Sequence, residues 1–201
     1  MKKETLELAK SAFEIEAEVL LDTAKNMDWQ AFETAVKLLS KAERIAASGC
    51  GHSGIACRHF AHSMCCIEKP ARFLSPSEAV HGATGFLKSG DVLVVASRGG
   101  KTLELLQIIE IAKKKNVSVI SVIEDIDTPI ASLSDVTLPI KVYREVDRYN
   151  MQGTSSFVAV CAVFDALQVA VMEETGFHGD QFGLIHPGGA VGERLSKKEP
   201  V

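Results

Sequence analysis

Gly49-Cys50-Gly51-His52-Ser53-Gly54 fits the pattern G-x-G-x-x-G, with a short apolar run before it and a helical pattern after it. A loop of this kind joins a strand to a helix, and its glycines leave the first backbone N–H groups of the helix clear of side chains. The result is an anion site. A dinucleotide needs more: an acidic residue about 20 positions on, at the end of the next strand, to hold the ribose hydroxyls. At that place the chain reads Leu74-Ser75-Pro76-Ser77, with Glu68 before the strand and Glu78 after the turn. The pattern therefore argues for a strand-loop-helix unit and against NAD.

Working outward, five short runs read as strands: Arg44–Ser48, Ala71–Ser75, Asp91–Ser97, Val117–Ile123 and Val136–Ile140. The two best, Val92–Ala96 and Val117–Val122, are near-continuous apolar, as strands buried on both faces of a parallel sheet are. Helical segments at about Ser53–Cys66, Thr102–Lys115 and Pro129–Ser134 lie between them, and a long apolar helix at about Gly153–Glu174 follows. Ahead of the first strand, apolar residues recur at helical spacing over Lys3–Met27, and Asp28 reads as the N-cap of a second helix through Phe32, Val36 and Leu39. The fold class predicted is α/β: a three-layer α/β/α sandwich with a five-stranded parallel sheet, preceded by N-terminal helices. The expected division is one domain over 1–201, with helices over 1–42 and the α/β core over 43–195. Ligands are expected at the carboxyl ends of the strands.

Ser97-Arg98-Gly99-Gly100-Lys101-Thr102 stands at the same place after the third strand. Its end resembles a P-loop, but G-x-x-x-x-G-K-T requires glycine where Val95 stands, which removes half of the phosphate wrap. What is left is a helix start bearing hydroxyls, glycines and cations. It suits a small phosphomonoester, with hydroxyls from Ser97 and Thr102, amides at Gly99 and Gly100, and charge from Arg98 or Lys101.

The 201 residues are 46% hydrophobic and carry a net charge of −4 without basic runs, which argues against a nucleic-acid surface. No signal peptide is read at the start, and no apolar run is read as long enough to span a membrane. Cys50, Cys57, Cys65, Cys66 and Cys161 are odd in number and lack paired C-x-x-C spacing, so they read as reduced thiols of a cytosolic protein. His59, His62, Cys65 and Cys66 share helical spacing, and are read as packed or solvent-facing positions of one helix with no metal assigned.

Thr154-Ser155-Ser156 opens the long apolar helix, and His186-Pro187-Gly188-Gly189-Ala190 follows it. Together with the two loops and Ser77-Glu78-Ala79-Val80-His81-Gly82, these motifs resemble the SIS (sugar isomerase) domain of the arabinose-5-phosphate isomerase group, the KpsF/GutQ-type phosphosugar isomerases. The resemblance covers about residues 40–195. Members often carry a pair of CBS domains after this domain, so a chain stopping at Val201 reads as a short form.

The resemblance implies interconversion of a ketose and an aldose phosphate, D-ribulose 5-phosphate and D-arabinose 5-phosphate in the named group, through an enediol and without a cofactor. It places the phosphate on Ser53, Ser97 and Thr102, with Gly51, His52, Arg98, Gly99 and Lys101 lining the same loops. It assigns proton transfer to Glu145, nine residues before Thr154, and puts His81 and His186 near the sugar to open the ring. It implies a homodimer or homotetramer with sites near subunit interfaces, cytoplasmic, and partnered by neither nucleic acid nor membrane. Three positions depart from the group. His52 replaces the lysine of GxGKSG, Lys101 replaces the glutamate of a loop resembling Ser-Asn-Ser-Gly-Glu-Ser/Thr, and Ala83 replaces an aspartate. An altered substrate, or a sugar-phosphate sensor without catalysis, stays open beside the isomerase.

Overall fold

In a computed structural model, which describes residues 2–196, the five apolar runs pair in parallel as one sheet. The strands are β1 (Ile45–Gly49), β2 (Ala71–Phe73), β3 (Val92–Ala96), β4 (Ser118–Ile123) and β5 (Val136–Pro139), in the order β2-β1-β3-β4-β5. Every residue of β1 and β3 is buried, whereas the edge strands β2 and β5 are only partly so. The near-continuous apolar runs are thus the strands whose two faces are both covered.

Alternate residues of each strand feed two cores. Ala47, Val94, Val122 and Leu138 pack with α1 (Lys3–Lys25), α2 (Trp29–Lys41), α3 (Gly51–Cys65) and α7 (Ser155–Thr175), where Phe60 and Phe164 stack at 4.5 Å between centroids. Ala46, Leu93, Val95 and Val119 face α4 (Pro76–Ala79), α5 (Leu103–Lys114) and α6 (Pro129–Leu133). Three layers follow, as the pattern predicts. Asp28 caps α2, its Oδ1 accepting from the amides of Gln30 at 3.0 Å and Ala31 at 2.9 Å.

One expectation is corrected. By length and composition α7 is long and apolar enough to cross a membrane, although no run was read so; here its buried side, including Val160, Val163 and Leu167, forms the core between α1, α2 and α3. The packed layers also end with α7. The glycine-rich tail forms α8 (Gly179–Ile185) and α9 (Gly189–Ser196), which pack chiefly on each other and reach the body through Gln181 Nε2, donating to Glu68 Oε2 at 2.8 Å.

The chain leaves β1 for one side of the sheet and β3 for the other, with α3 and α5 on opposite faces. Adjacent strands whose connections part in this way open a crevice at their carboxyl ends. At β1 the glycines let α3 settle close: a Cβ on Gly54 would lie 2.5 Å from the Gly49 carbonyl oxygen, and one on Gly49 would lie 2.8 Å from the Ser53 carbonyl carbon. Gly51, at φ +53°, supplies the left-handed turn between them. Gly54→Ala is expected to destabilise the fold by about 1–3 kcal/mol through forced separation of α3 from β1, read as a lower midpoint in urea unfolding.

Candidate active site

The register Gly49↔Ala96 sets the loops after β1 and β3 side by side. In the second loop Ser97 is buried and its Oγ lies 2.8 Å from Thr102 Oγ1, so the two hydroxyls converge. Gly100, at φ +61°, closes the turn with its N–H donating to the Ser97 carbonyl at 3.1 Å, and a Cβ there would come 2.7 Å from Thr128 Cβ. Only glycine fits that position. The amides of Arg98, Gly99, Lys101 and Thr102 donate to no acceptor among the described residues. Nor do the N-cap side chains of α3 and α5, Cys50 and Thr102, accept from the helix behind them. Two helix starts with free donors and positive dipole ends therefore face the crevice, with Ser53 half-buried in the first turn of α3. Lys101 is exposed and makes no ion pair among the described residues.

The Arg98 guanidinium and the Glu145 carboxylate pair with each other. The Arg98 guanidinium turns away from the free amides. Its Nε donates to Glu124 Oε2 at 2.7 Å and its Nη1 to Glu145 Oε1 at 2.6 Å, so its charge is already spent on two carboxylates. Glu145 is buried, and its Oε2 accepts from Thr154 N at 2.8 Å, Thr154 Oγ1 at 3.0 Å and Ser156 N at 3.2 Å. The carboxylate thus caps α7 from nine residues upstream. Burial pushes its pKa up, but the donors of Ser156 and Thr154 outweigh burial and hold it below the ordinary 4.5. A general base needs an accessible lone pair and a pKa near the working pH. In this structure both Glu145 oxygens are engaged by donors, and the carboxylate fixes the start of α7 and the Arg98 side chain.

His52 is exposed at the first loop and leans on α7. A Cβ on Gly153 would meet its ring at 3.0 Å, and the ring lies edge-on to Phe157 with centroids 6.2 Å apart. His81 lies exposed just after α4, followed by Gly82 at φ +109°. His186 is exposed at the end of α8 and stacks on Phe182 at 4.9 Å. No hydrogen bond, ion pair or ring contact joins either histidine to the two loops among the described residues. The fold sets Gly51, His52 and Ser53 of the first loop beside Ser97, Arg98, Gly99, Lys101 and Thr102 of the second.

The sequence reading missed the frame behind the loops. Asn150 Oδ1 accepts from Glu145 N at 2.6 Å, and Asp147 accepts from the amides of Tyr149, Met151 and Gln152 at 2.9–3.0 Å. The turn-forming composition of Val146-Asp147-Arg148-Tyr149-Asn150-Met151-Gln152-Gly153 was a visible signal; that Glu124 would meet Arg98 was not. Of the helical His/Cys group, His59 Nε2 pairs with Asp165 Oδ1 at 2.8 Å and Cys65 Sγ donates to the Ala71 carbonyl at 3.1 Å.

Removing the cation of this frame leaves Glu145 buried without its partner. Arg98→Ala is expected to cost about 2–4 kcal/mol, less than for a wholly buried pair because the guanidinium is partly open to water. For Glu145 the folded pKa is the depressed one, so its stabilisation is complete above about pH 4.5 and is lost as pH falls through the lower folded value. Stability measured from pH 6 downward is expected to fall more steeply for the wild-type chain than for Glu145→Gln.

Comparison with known proteins places the fold in a family. The SIS domain profile matches residues 38–170. The arabinose 5-phosphate isomerase KdsD of Pseudomonas aeruginosa is 32% identical over 161 residues, 80% of this chain and 49% of that protein. KdsD of Escherichia coli K12 is 30% identical over 186 residues, 92% of this chain and 57% of that protein. The chain thus spans about half the length of the curated relatives it matches. Among solved structures, a candidate sugar-phosphate isomerase of Listeria monocytogenes superposes with a TM-score of 0.90 at 38% identity, covering 94% of this chain and 100% of that one. An E. coli CFT073 protein in complex with arabinose 5-phosphate superposes at 0.87 with 28% identity, covering 93% and 100%. With two phosphate-type loops at the switch point of a five-stranded parallel sheet, and a family match over most of its length, the chain belongs to the SIS domain family.

Proposed function

We propose that this chain is a phosphosugar aldose–ketose isomerase, and that its substrates are D-ribulose 5-phosphate and D-arabinose 5-phosphate. The observation that carries the reading is the second loop, where the hydroxyls of Ser97 and Thr102 converge at 2.8 Å beside four amides that have no protein acceptor among the described residues. Donors already aligned before a ligand arrives lose little on binding one, and a phosphate has enough oxygens to take several. Lys101 at the mouth adds positive charge, since the Arg98 guanidinium is held by Glu124 and Glu145. The activity named for the curated relatives and the arabinose 5-phosphate complex of the E. coli neighbour support the choice of sugar.

With the phosphate anchored, the sugar lies along the crevice and its C1 and C2 face the side chains around it. Fixing the reacting carbons in this way supplies much of the rate by orientation alone. Glu145 acts at a distance: it holds Arg98 and the start of α7, and so the second loop. His81 and His186 stand near the sugar, in a site close to a subunit interface of a homo-oligomer. Phe13 and Leu21 on α1 and Val169 on α7 are large apolar side chains left in the open, and a second copy would cover them. The setting of such metabolism is the cytoplasm.

A second reading is a sugar-phosphate sensor that binds without turnover. It is favoured by one observation: a lysine stands at 101 where the isomerase group has a glutamate, while Glu145 is tied down by its donors. The test is to incubate the chain with D-ribulose 5-phosphate and follow D-arabinose 5-phosphate. Interconversion is expected, and Ser97→Ala and Thr102→Val are each expected to raise KM about 10–100-fold, since each removes a hydrogen bond to a charged group. Thermal stabilisation by the sugar phosphate without turnover would replace the isomerase by the sensor.

A further inference from the structure

A cleft of about 440 Å³ opens beside the first loop, between the start of α3 and the end of β2. It is lined by Gly51, by Phe73, Ser75 and Ser77, and by Arg58 and Glu104. Among the described residues Arg58 is its only cation. The guanidinium lies over the Phe73 ring, 3.9 Å from its centroid, and forms no ion pair with Glu104 or any other carboxylate among the described residues. Stacking engages a face of the guanidinium and leaves the N–H groups around its edge pointing outward in the plane, free to donate. The other cations at the crevice are placed differently: Arg98 is matched by Glu124 and Glu145, Lys101 stands at the mouth of the second loop, and the His52 ring rests against Gly153 and Phe157. Because β1 lies between β2 and β3 in the sheet, Arg58 flanks the first loop on the side away from the second.

We propose that this cleft holds the sugar carbons of the substrate and that Arg58 is a catalytic residue, its N–H fork donating to O1 and O2 while a proton moves between C1 and C2. The inference rests on the isomerase reading above. Glu104 lines the cleft and stands two residues past Thr102. The cleft wall is thus within about 7 Å, Cα to Cα, of the hydroxyl pair that grips the phosphate, a distance that the carbon chain of a pentose spans. When the C1–H bond of the ketose breaks, its proton goes to the general base, its electron pair becomes the C1–C2 double bond, and the carbonyl pair at C2 moves onto O2. A proton then passes from O1 to O2 through water, and return of the first proton to C2 leaves an aldehyde at C1 and a hydroxyl at C2. No oxidant or reductant is needed, because the two carbons exchange oxidation level. Negative charge is greatest in the intermediate, whose two oxygens lie on adjacent carbons in one plane. That outline is close to a carboxylate's, which a guanidinium takes with two parallel N–H bonds, whereas a lysine offers a point charge. Donors set in place for a charge that develops only during the reaction act on the rate more than on the binding of the substrate.

The test compares the wild-type chain with Arg58→Ala and Arg58→Lys in the ribulose 5-phosphate assay, with inorganic phosphate and 5-phospho-D-arabinonate as inhibitors. The second inhibitor carries a carboxylate where the enediolate forms. For Arg58→Ala, kcat is expected to fall by at least about 100-fold with KM within about threefold of wild type. Inhibition by the aldonate is expected to weaken by at least about tenfold, while inhibition by inorganic phosphate and the melting temperature stay as in wild type. Arg58→Lys, which keeps the charge and loses the fork, is expected to lie between the two in both kcat and aldonate inhibition. A purely structural role, through packing on Phe73, would lower the melting temperature and leave the ratio of the two inhibition constants unchanged. An active wild-type chain whose Arg58→Ala variant stays within about tenfold in kcat, or keeps the wild-type ratio of the two inhibitors, overturns this inference alone. A wild-type chain that turns over neither pentose phosphate overturns the isomerase reading and the inference with it.

Discussion

The carboxylate of Glu145 is the constraint around which the site is arranged. An ionised carboxylate removed from water costs several kcal/mol unless donors and a countercharge surround it. The chain meets that demand from three directions: the amides of Thr154 and Ser156, the Thr154 hydroxyl and the Arg98 guanidinium, while Asn150 Oδ1 accepts from the Glu145 backbone amide and fixes the turn. Each group is thereby fixed in place. Arg98 in turn reaches Glu124 at the end of β4, so one buried charge ties the second loop to the neighbouring strand and to the segment that starts α7. Gly153 lies in that segment, and it makes the room in which His52 rests. Both loops are therefore referred to the same anchor.

The same arrangement decides where positive potential is left over. Helix starts carry unsatisfied N–H groups, and the chain caps α2 with Asp28, α6 with Thr128 and α7 with Glu145. It leaves α3 and α5 uncapped at the crevice between β1 and β3. Because the Arg98 cation is matched by two carboxylates, the mouth of the second loop depends on backbone dipoles, hydroxyls and Lys101. Backbone donors are set by the shape of the loop, so they are the same whichever side chain stands at 101.

Much of this was legible in the chain. The strands lay where short β-branched runs stood, and the two loops followed strands one and three, since strand burial and helix initiation are local patterns. The G-x-G-x-x-G stretch was read as clearance for a phosphate; in the fold Gly49 and Gly54 serve chiefly the contact of α3 with β1, and Gly51 the turn. Its pairing partner, the loop at Ser97, was legible because hydroxyl and glycine spacing is short-range. The tail helices α8 and α9 were not, because glycine lowers helix propensity and the start of α8 is held by Gln181 Oε1, which accepts from the His178 amide at 2.8 Å.

What the sequence by itself determined is the sheet, its parallel sense, the two loops and the residue types they carry, since each follows from periodicity and composition within a few residues. Only the tertiary structure decided which charges are free. Arg98 and Glu145 are separated by 47 positions and Arg98 and Glu124 by 26, so nothing in their local sequence marks them as partners. Once folded, their pairing engages one cation and two carboxylates and leaves Lys101, Arg58 and Glu104 without ion-pair partners among the described residues. Charge availability is a property of who sits beside whom, and that is set by the parallel pairing of β3 with β4 and by the placing of the α7 start beside their ends.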